Sequence, residues 1–260
     1  MKNIILLFVI LSSIACGNEK QTDEQPQEQT QINQQTEQIE QTDQNTESIN
    51  YVFKPKIFKP VNESNSNSAL KKVLNDLLIV IKNKEVENLK PFLDENILVS
   101  LGRGRGWDAF SELWELDLKP KKSLVWQELK NAITLGGIFD EQNSNFYITP
   151  YLYTTFDYDP YEYAAITGKK VNIRDKPSME GKIVTQLNYD VVKVLQDDGM
   201  FSQFQEKIGT DTHYWFHIQM ADGQTGYVWG KFCRSAIDNR ATFAQVRDEG
   251  WKIISFLAGD

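Results

Sequence analysis

Val171-Asn172-Ile173-Arg174-Asp175-Lys176-Pro177-Ser178 opens the stretch whose reading decides the fold. Apolar and polar side chains alternate from Val171 to Arg174, and a proline-bearing turn follows, which is the pattern of a half-buried strand running into a loop. The same layout repeats at Ile183 to Leu187, Val191 to Leu195, Trp215 to Ile218 and Gly223 to Val228, each run bounded by Gly, Pro, Asp or Asn. Asp198-Gly199 and Asp222-Gly223 are hairpin-turn signals. Gly226, just before Tyr227-Val228-Trp229, suits a tight turn feeding a strand, because glycine tolerates positive φ at little cost. Many short strands at this spacing predict a small all-β barrel over residues 164–237.

These motifs also carry a resemblance. Val171 to Ser178 resembles the opening signature of bacterial SH3 domains. Ile183-Val184-Thr185-Gln186-Leu187 and Val191-Val192-Lys193-Val194-Leu195 resemble the next two strands. Trp215-Phe216-His217-Ile218 and Gly223-Gln224-Thr225-Gly226-Tyr227-Val228 resemble the tryptophan strand and the glycine-turn strand. Two places depart from the family: Asn188-Tyr189-Asp190 stands where a glycine turn is usual, and Gly199 to Asp211 is a longer polar loop. The resemblance implies an SH3-like barrel that binds peptidoglycan or an extended peptide, without naming the ligand.

Outward from this stretch, the amino end reads differently. Lys2, the apolar run Ile4 to Leu11 and the small residues before Cys16 form a secretory signal too short to span a membrane. Ser13-Ile14-Ala15-Cys16 resembles a lipobox, with Ser13 where that pattern prefers Leu. The resemblance implies removal of residues 1–15, acylation of Cys16, and a membrane contact through the lipid. Gly17 resembles the pattern that permits transfer to an outer membrane, so an outer-membrane lipoprotein facing the periplasm is expected ahead of an inner-membrane one, with the cell surface also open. Residues 16–50 are dominated by Gln, Glu, Thr and Asn, a composition that cannot bury enough apolar surface to offset ordering entropy, and they are predicted to be a disordered tether. Between Asn18 and Asn50 eight acids face one base, so −7 of the chain's net −8 lies there; allowing for Lys2, the chain from Tyr51 onward carries only −2. A nearly neutral body offers no nucleic-acid surface.

Between the tether and the barrel, residues 51–163 predict an α+β domain. Phe53-Lys54-Pro55 and Phe58-Lys59-Pro60 forbid a helix and lead into it. Leu70, Val73, Leu74, Leu77, Leu78 and Ile81 recur at helical spacing after Ser68 as cap. Further helices fit Glu85 to Phe92, Asp108 to Leu116 and Ser123 to Leu135, with strands at Ile97 to Leu101 and Phe146 to Phe156. Thr242 to Arg247 and Trp251 to Leu257 flank Asp248-Glu249-Gly250 as a hairpin, which is marginal in water unless it joins a sheet. Residues 238–260 are therefore expected to complete the first domain, making the barrel an insertion. Gly250 to Ile254 resembles the last strands of nuclear-transport-factor-like cones, and Leu70 to Leu93 resembles their opening helices.

Candidate chemistry is sparse. Cys233 follows His213 and His217 in the chain, whereas the cell-wall cysteine peptidases that accompany bacterial SH3 domains need the cysteine first. On a strand, four residues separate the two histidines by roughly 13 Å, too far to share a metal. Gly102, Gly104 and Gly106 interleave with Arg103 and Arg105 but match neither the phosphate-loop nor the dinucleotide pattern. No catalytic group, metal or cofactor is expected. Tyr227 and Trp229 alternate with Val228, so a buried Val228 would turn both aromatics outward; with Tyr189 and Arg174 they are the candidate ligand-binding residues. The leading expectation is an envelope-tethered binding protein for peptidoglycan or an extended peptide. A structural adaptor for an envelope protein is the alternative, and a carboxylate-based wall hydrolase a less favoured one.

Overall fold

The computed structural model describes residues 50–102, 104–196, 204–257 and 259. The signal, Cys16 and the tether therefore lie outside the described residues, as do Arg103 and the turn signal at Asp198-Gly199.

The helical part opens with α1 (Ser68–Asn83), whose first turn is capped one residue earlier than expected: extended Asn67 accepts a bond from the Leu70 amide at 3.0 Å. Then follow α2 (Val86–Leu89), β1 (Leu93–Leu98), α3 (Gly106–Leu113), α4 (Val125–Thr134), β2 (Ile138–Phe139), β3 (Phe146–Thr149) and α5 (Leu152–Thr155). The strand anticipated at Ile97 begins instead at Leu93, because Leu93 and Ile97 are the two positions of β1 that the core buries. The strand anticipated from Phe146 to Phe156 stops at Thr149, since Pro150 has no N–H for the ladder, and α5 takes over.

The second stretch supplies β4 (Tyr163–Ile166), β5 (Val171–Arg174), β6 (Ile183–Leu187), β7 (Val191–Val194), β8 (Gln205–Ile208), β9 (Asp211–Gln219), β10 (Thr225–Trp229) and β11 (Cys233–Arg234), the last two joined by a 3-10 turn. The chain closes with β12 (Arg240–Val246) and β13 (Gly250–Leu257).

Two sheets result. The five-stranded one has the order β1-β13-β12-β3-β2, with β1 parallel to β13 and the other pairs antiparallel. The closing hairpin thus occupies the middle of the first sheet, turning through Asp248 and Gly250, both at positive φ. Leu70, Leu77, Phe110 and Leu129 of the helices pack with Tyr147, Phe243, Ile253 and Phe256 of this sheet. The other sheet runs β11-β4-β7-β9-β10-β5-β6, with β8 on β9. Its order is an open path whose end strands are not paired with each other, so the expected closed barrel is not what the strand pairing forms. A two-residue β11 and an edge strand β6 that is mostly exposed offer too little ladder to close a ring.

Ala164, Ile166, Val171, Ile173, Val192, Ile218 and Val228 line the second sheet's own core. Gly226 is needed there for space and not for its φ: a Cβ would sit 2.6 Å from Ile173 Cγ2. A third cluster, Phe58, Ile138, Tyr151, Leu152, Ala165 and Val191, joins the two sheets. The proline-bearing segment reaches this seam, donating from the Phe58 amide to Tyr189 O (2.6 Å) and accepting at Lys56 O from Val191 (2.9 Å). It is therefore an edge of the second sheet as much as an entry to the first. No helix among the described residues is long and apolar enough to cross a membrane.

Candidate functional site

Strand β9 changes which side it buries along its length. Phe216 and Ile218 face the second sheet's core, while His213, Trp215 and His217 share the opposite face. Register carries that face across neighbouring strands: Trp229 stands opposite Trp215, Tyr227 opposite His217, Arg174 opposite Tyr227, and Glu206 of β8 opposite His213. The face is a continuous strip of aromatics with a cation at one side and a carboxylate at the other.

One end of this strip is closed. Val228 is 0% exposed, as the alternation argument requires, yet Trp229 is only 7% exposed and Trp215 2%, so the expectation of two outward aromatics fails for Trp229. The cause is the longer polar loop, whose described part forms β8. One Glu206 carboxylate oxygen accepts from Trp215 Nε1 at 2.8 Å and from the Met179 amide at 3.1 Å, and Glu206 O accepts from Trp229 Nε1 at 3.3 Å. His213 meets Trp229 edge-on at 5.1 Å, Phe232 lies 6.1 Å away, and the Lys231 ammonium sits 5.8 Å from the indole. Each indole N–H has an acceptor and each ring is covered, which is the requirement for burying tryptophan.

The other end is half open. Tyr227 stacks on His217 with ring centroids 4.6 Å apart and planes 15° from parallel. Beside it, Arg174 donates from Nη1 to Gly181 O at 2.5 Å, which fastens the loop after β5, and Nη2 lies 3.9 Å from Met179 Sδ. Arg174 and Tyr227 are thus brought together. Tyr189 is not part of this row: it turns β6 into β7 at φ 64°, in the left-handed region that favours glycine, and its backbone binds Gly168 and Phe58.

A second concavity, of about 240 Å³, opens at the edge of the sheet's core. Ala164, Val194, Phe216 and Cys233 form its apolar floor, and Tyr161, Glu162 and Asp238 its rim. Glu162 pairs with Lys193 at 2.9 Å and Asp238 with Arg234 at 3.6 Å. On this rim the Asp238 side chain keeps 37% of its surface open to solvent. Desolvation pushes its carboxyl above the ordinary aspartate range, against the pull of Arg234. Burial pushes the Cys233 thiol up to about 12, which leaves it protonated at neutral pH. An apolar floor under a polar rim fits a small aliphatic group with a polar end. The sequence carries no signal for this concavity, because its rim comes from the turn before β4 and from the connection into β12.

The two histidines are committed to different rings, Trp229 and Tyr227. In the glycine loop, Gly106 has φ 82° and a Cβ there would approach Glu95 O at 2.9 Å, while the Lys90 ammonium sits 4.5 Å from the Trp107 ring. These contacts fix the entry into α3 at Gly106 and Trp107.

His213 gives this face a pH dependence. Burial first, then the nearby Arg234 cation, lowers the pKa of its imidazole, with Lys231 acting the same way and Glu128 and Asp211 opposing. Its Nε2 has no hydrogen-bond partner among the described residues. A histidine whose folded pKa is depressed contributes its full stability above the unfolded value of about 6.5 and loses it progressively as pH falls from there through the lowered folded value. Melting temperature should therefore drop between roughly pH 7 and pH 5, and His213→Phe should flatten this acid limb. An unchanged limb in that variant would assign the drop to other groups.

Comparison of this chain with family models, with curated proteins and with solved structures finds no match in any of the three.

Proposed function

We propose that this chain is an envelope-anchored binding lipoprotein, acylated at Cys16 and spaced from the membrane by residues 16–50. Its second sheet is read as an SH3-like module that holds a peptidoglycan stem peptide or another extended peptide. Binding is favoured over catalysis because the chemistry of the described face is that of recognition: stacked rings, a guanidinium and a backbone-fastened loop, with the single described thiol buried and protonated. Support for the SH3-like reading comes from β5, β6, β7, β9 and β10 falling on the resembling motifs and packing around one core.

The observation that carries the binding reading is the half-open row Arg174–Tyr227–His217 beside a closed tryptophan end. A rigid base beneath a partly exposed aromatic pair is the arrangement that lets a stacked ring contribute strongly to binding without losing freedom of its own. Arg174 retains N–H donors beyond the one on Gly181 for a carboxylate of the ligand. Co-sedimentation with purified sacculi tests this. Wild type should pellet at low and moderate salt, and Tyr227→Ala should weaken pelleting about tenfold, the loss of roughly 1.4 kcal/mol expected of a half-buried aromatic contact. Wild type left in the supernatant would reject wall binding. Equal pelleting of both proteins would keep wall binding and remove this row as its site.

A further inference from the structure

A surface far in sequence from the aromatic row has the chemistry of a membrane contact. Residues 115–124 connect α3 to α4 and are held rigidly from beneath. Ser123 Oγ donates to Trp114 O at 2.6 Å, and Trp126 Nε1 donates to Pro120 O at 2.6 Å. Lys84 Nζ donates to Lys121 O at 2.9 Å while Lys121 Nζ donates back to Asn83 O at 3.0 Å, which clamps the loop to the end of α1. This scaffold holds two leucines out of the protein, Leu118 at 79% exposure and Leu124 at 66%.

Lysines surround them. Lys82, Lys84, Lys122 and Lys130 line one concavity of about 830 Å³ together with Leu124, and Lys121 adjoins it. Among the described residues none of these five is in an ion pair. The acids nearby are mostly neutralised: Glu115 pairs with Lys119 at 3.1 Å, Asp211 with Lys231 at 2.7 Å, and Glu128 with Arg234 at 3.5 Å, leaving Asp117 on the loop itself. Cations therefore gather on one face of a body that is close to neutral overall.

We infer that this face, Leu118 and Leu124 amid Lys82, Lys84, Lys121, Lys122 and Lys130, docks the folded unit onto an anionic lipid surface. Headgroup phosphates take the lysine-lined concavity and the leucines enter the acyl boundary. Ammonium groups beside a membrane gain from its negative surface potential, and projecting apolar tips add the burial that a headgroup contact alone lacks. An acidic protein partner would use the same lysines but gives no reason for two leucines to project from a rigid loop. The inference goes beyond peptide binding and does not depend on acylation.

The test uses the chain from residue 16 onward as Cys16→Ser, which keeps the whole compact unit Ser48–Asp260 and carries no lipid. Its sedimentation with mixed phosphatidylcholine–phosphatidylglycerol vesicles is compared with that on phosphatidylcholine alone. Binding is expected on the anionic vesicles only, weakening with salt. Lys82→Gln/Lys122→Gln/Lys130→Gln should lose about 100-fold, and Leu118→Ser/Leu124→Ser about tenfold, with melting curves unchanged because every substituted side chain is exposed. Any of four results overturns the inference: no binding to anionic vesicles at low salt, equal binding to neutral ones, full binding by the leucine variant, or competition by inorganic phosphate beyond that of sodium chloride at equal ionic strength. Full binding by the leucine variant would assign the lysines to a soluble polyanion or an acidic protein.

Discussion

A chain ending after Ile237 should show no cooperative melting transition and should lose the near-ultraviolet signature of packed aromatics. Truncation there removes β12 and β13, the second and third strands of the order β1-β13-β12-β3-β2, so β1 and the β3–β2 pair are left with nothing between them. The same cut strips Phe243, Trp251, Ile253 and Phe256 from the first core, all of them nearly or fully buried. Deleting one such side chain costs about 2–5 kcal/mol, so losing four together is comparable to the roughly 5–15 kcal/mol by which a whole protein of this kind is stable. The backbone argument points the same way, since the amides and carbonyls of β1 and β3 would lose their ladder partners inside a covered sheet. Phe256→Ala gives a graded version, expected to lower stability by about 3–5 kcal/mol while leaving a folded protein. A truncated chain that melts at the wild-type temperature would show that the helical part holds its shape without the hairpin.

Trp229→Ala should behave as a core deletion and not as a binding variant. The indole is 7% exposed, capped by Glu206 O and walled by His213, Phe232 and the Lys231 ammonium, so its removal leaves a cavity that the register pairing with Trp215 cannot collapse. The expected loss is about 3–5 kcal/mol, a fall in melting temperature of roughly 10 °C for a unit of this size. Tyr227→Ala, at a half-buried position two residues along the same strand, should cost about 1 kcal/mol. Thermal melts of the two variants side by side check this. Equal and small shifts would mean that the tryptophan is not packed as described. The comparison matters for function, because lost sacculus binding by Trp229→Ala would report a damaged sheet, whereas lost binding by Tyr227→Ala would report a contact.

Much of the secondary structure was legible because local rules decide it. The spacing of Leu70, Leu74, Leu77 and Ile81 specifies α1, and the runs at Val171, Ile183, Val191, Trp215 and Thr225 specify five strands. Asp248-Glu249-Gly250 specifies a turn whose strands need a sheet to join. Alternation places Val228 on the face opposite Tyr227 and Trp229, and the structure shows which face is inward, with Val228 fully buried. Parity, however, says only which face a side chain takes, and not what lies over that face. Trp229 points away from the core of its sheet and is buried all the same, because β8, the loop at Met179 and the residues around His213 arrive from other parts of the chain. Tyr189 stands at a turn that the resemblance would give to glycine, but only the fold shows that its backbone ties the Phe58 segment to the sheet. The pocket at Asp238 and the lysine-lined concavity at Leu124 are likewise assembled from segments distant in sequence. Composition and periodicity determined the elements and the acidic charge of residues 18–50. Tertiary structure decided which aromatic row stays half open and where the cations gather, because coverage and clustering depend on contacts between residues tens of positions apart, which no local pattern encodes.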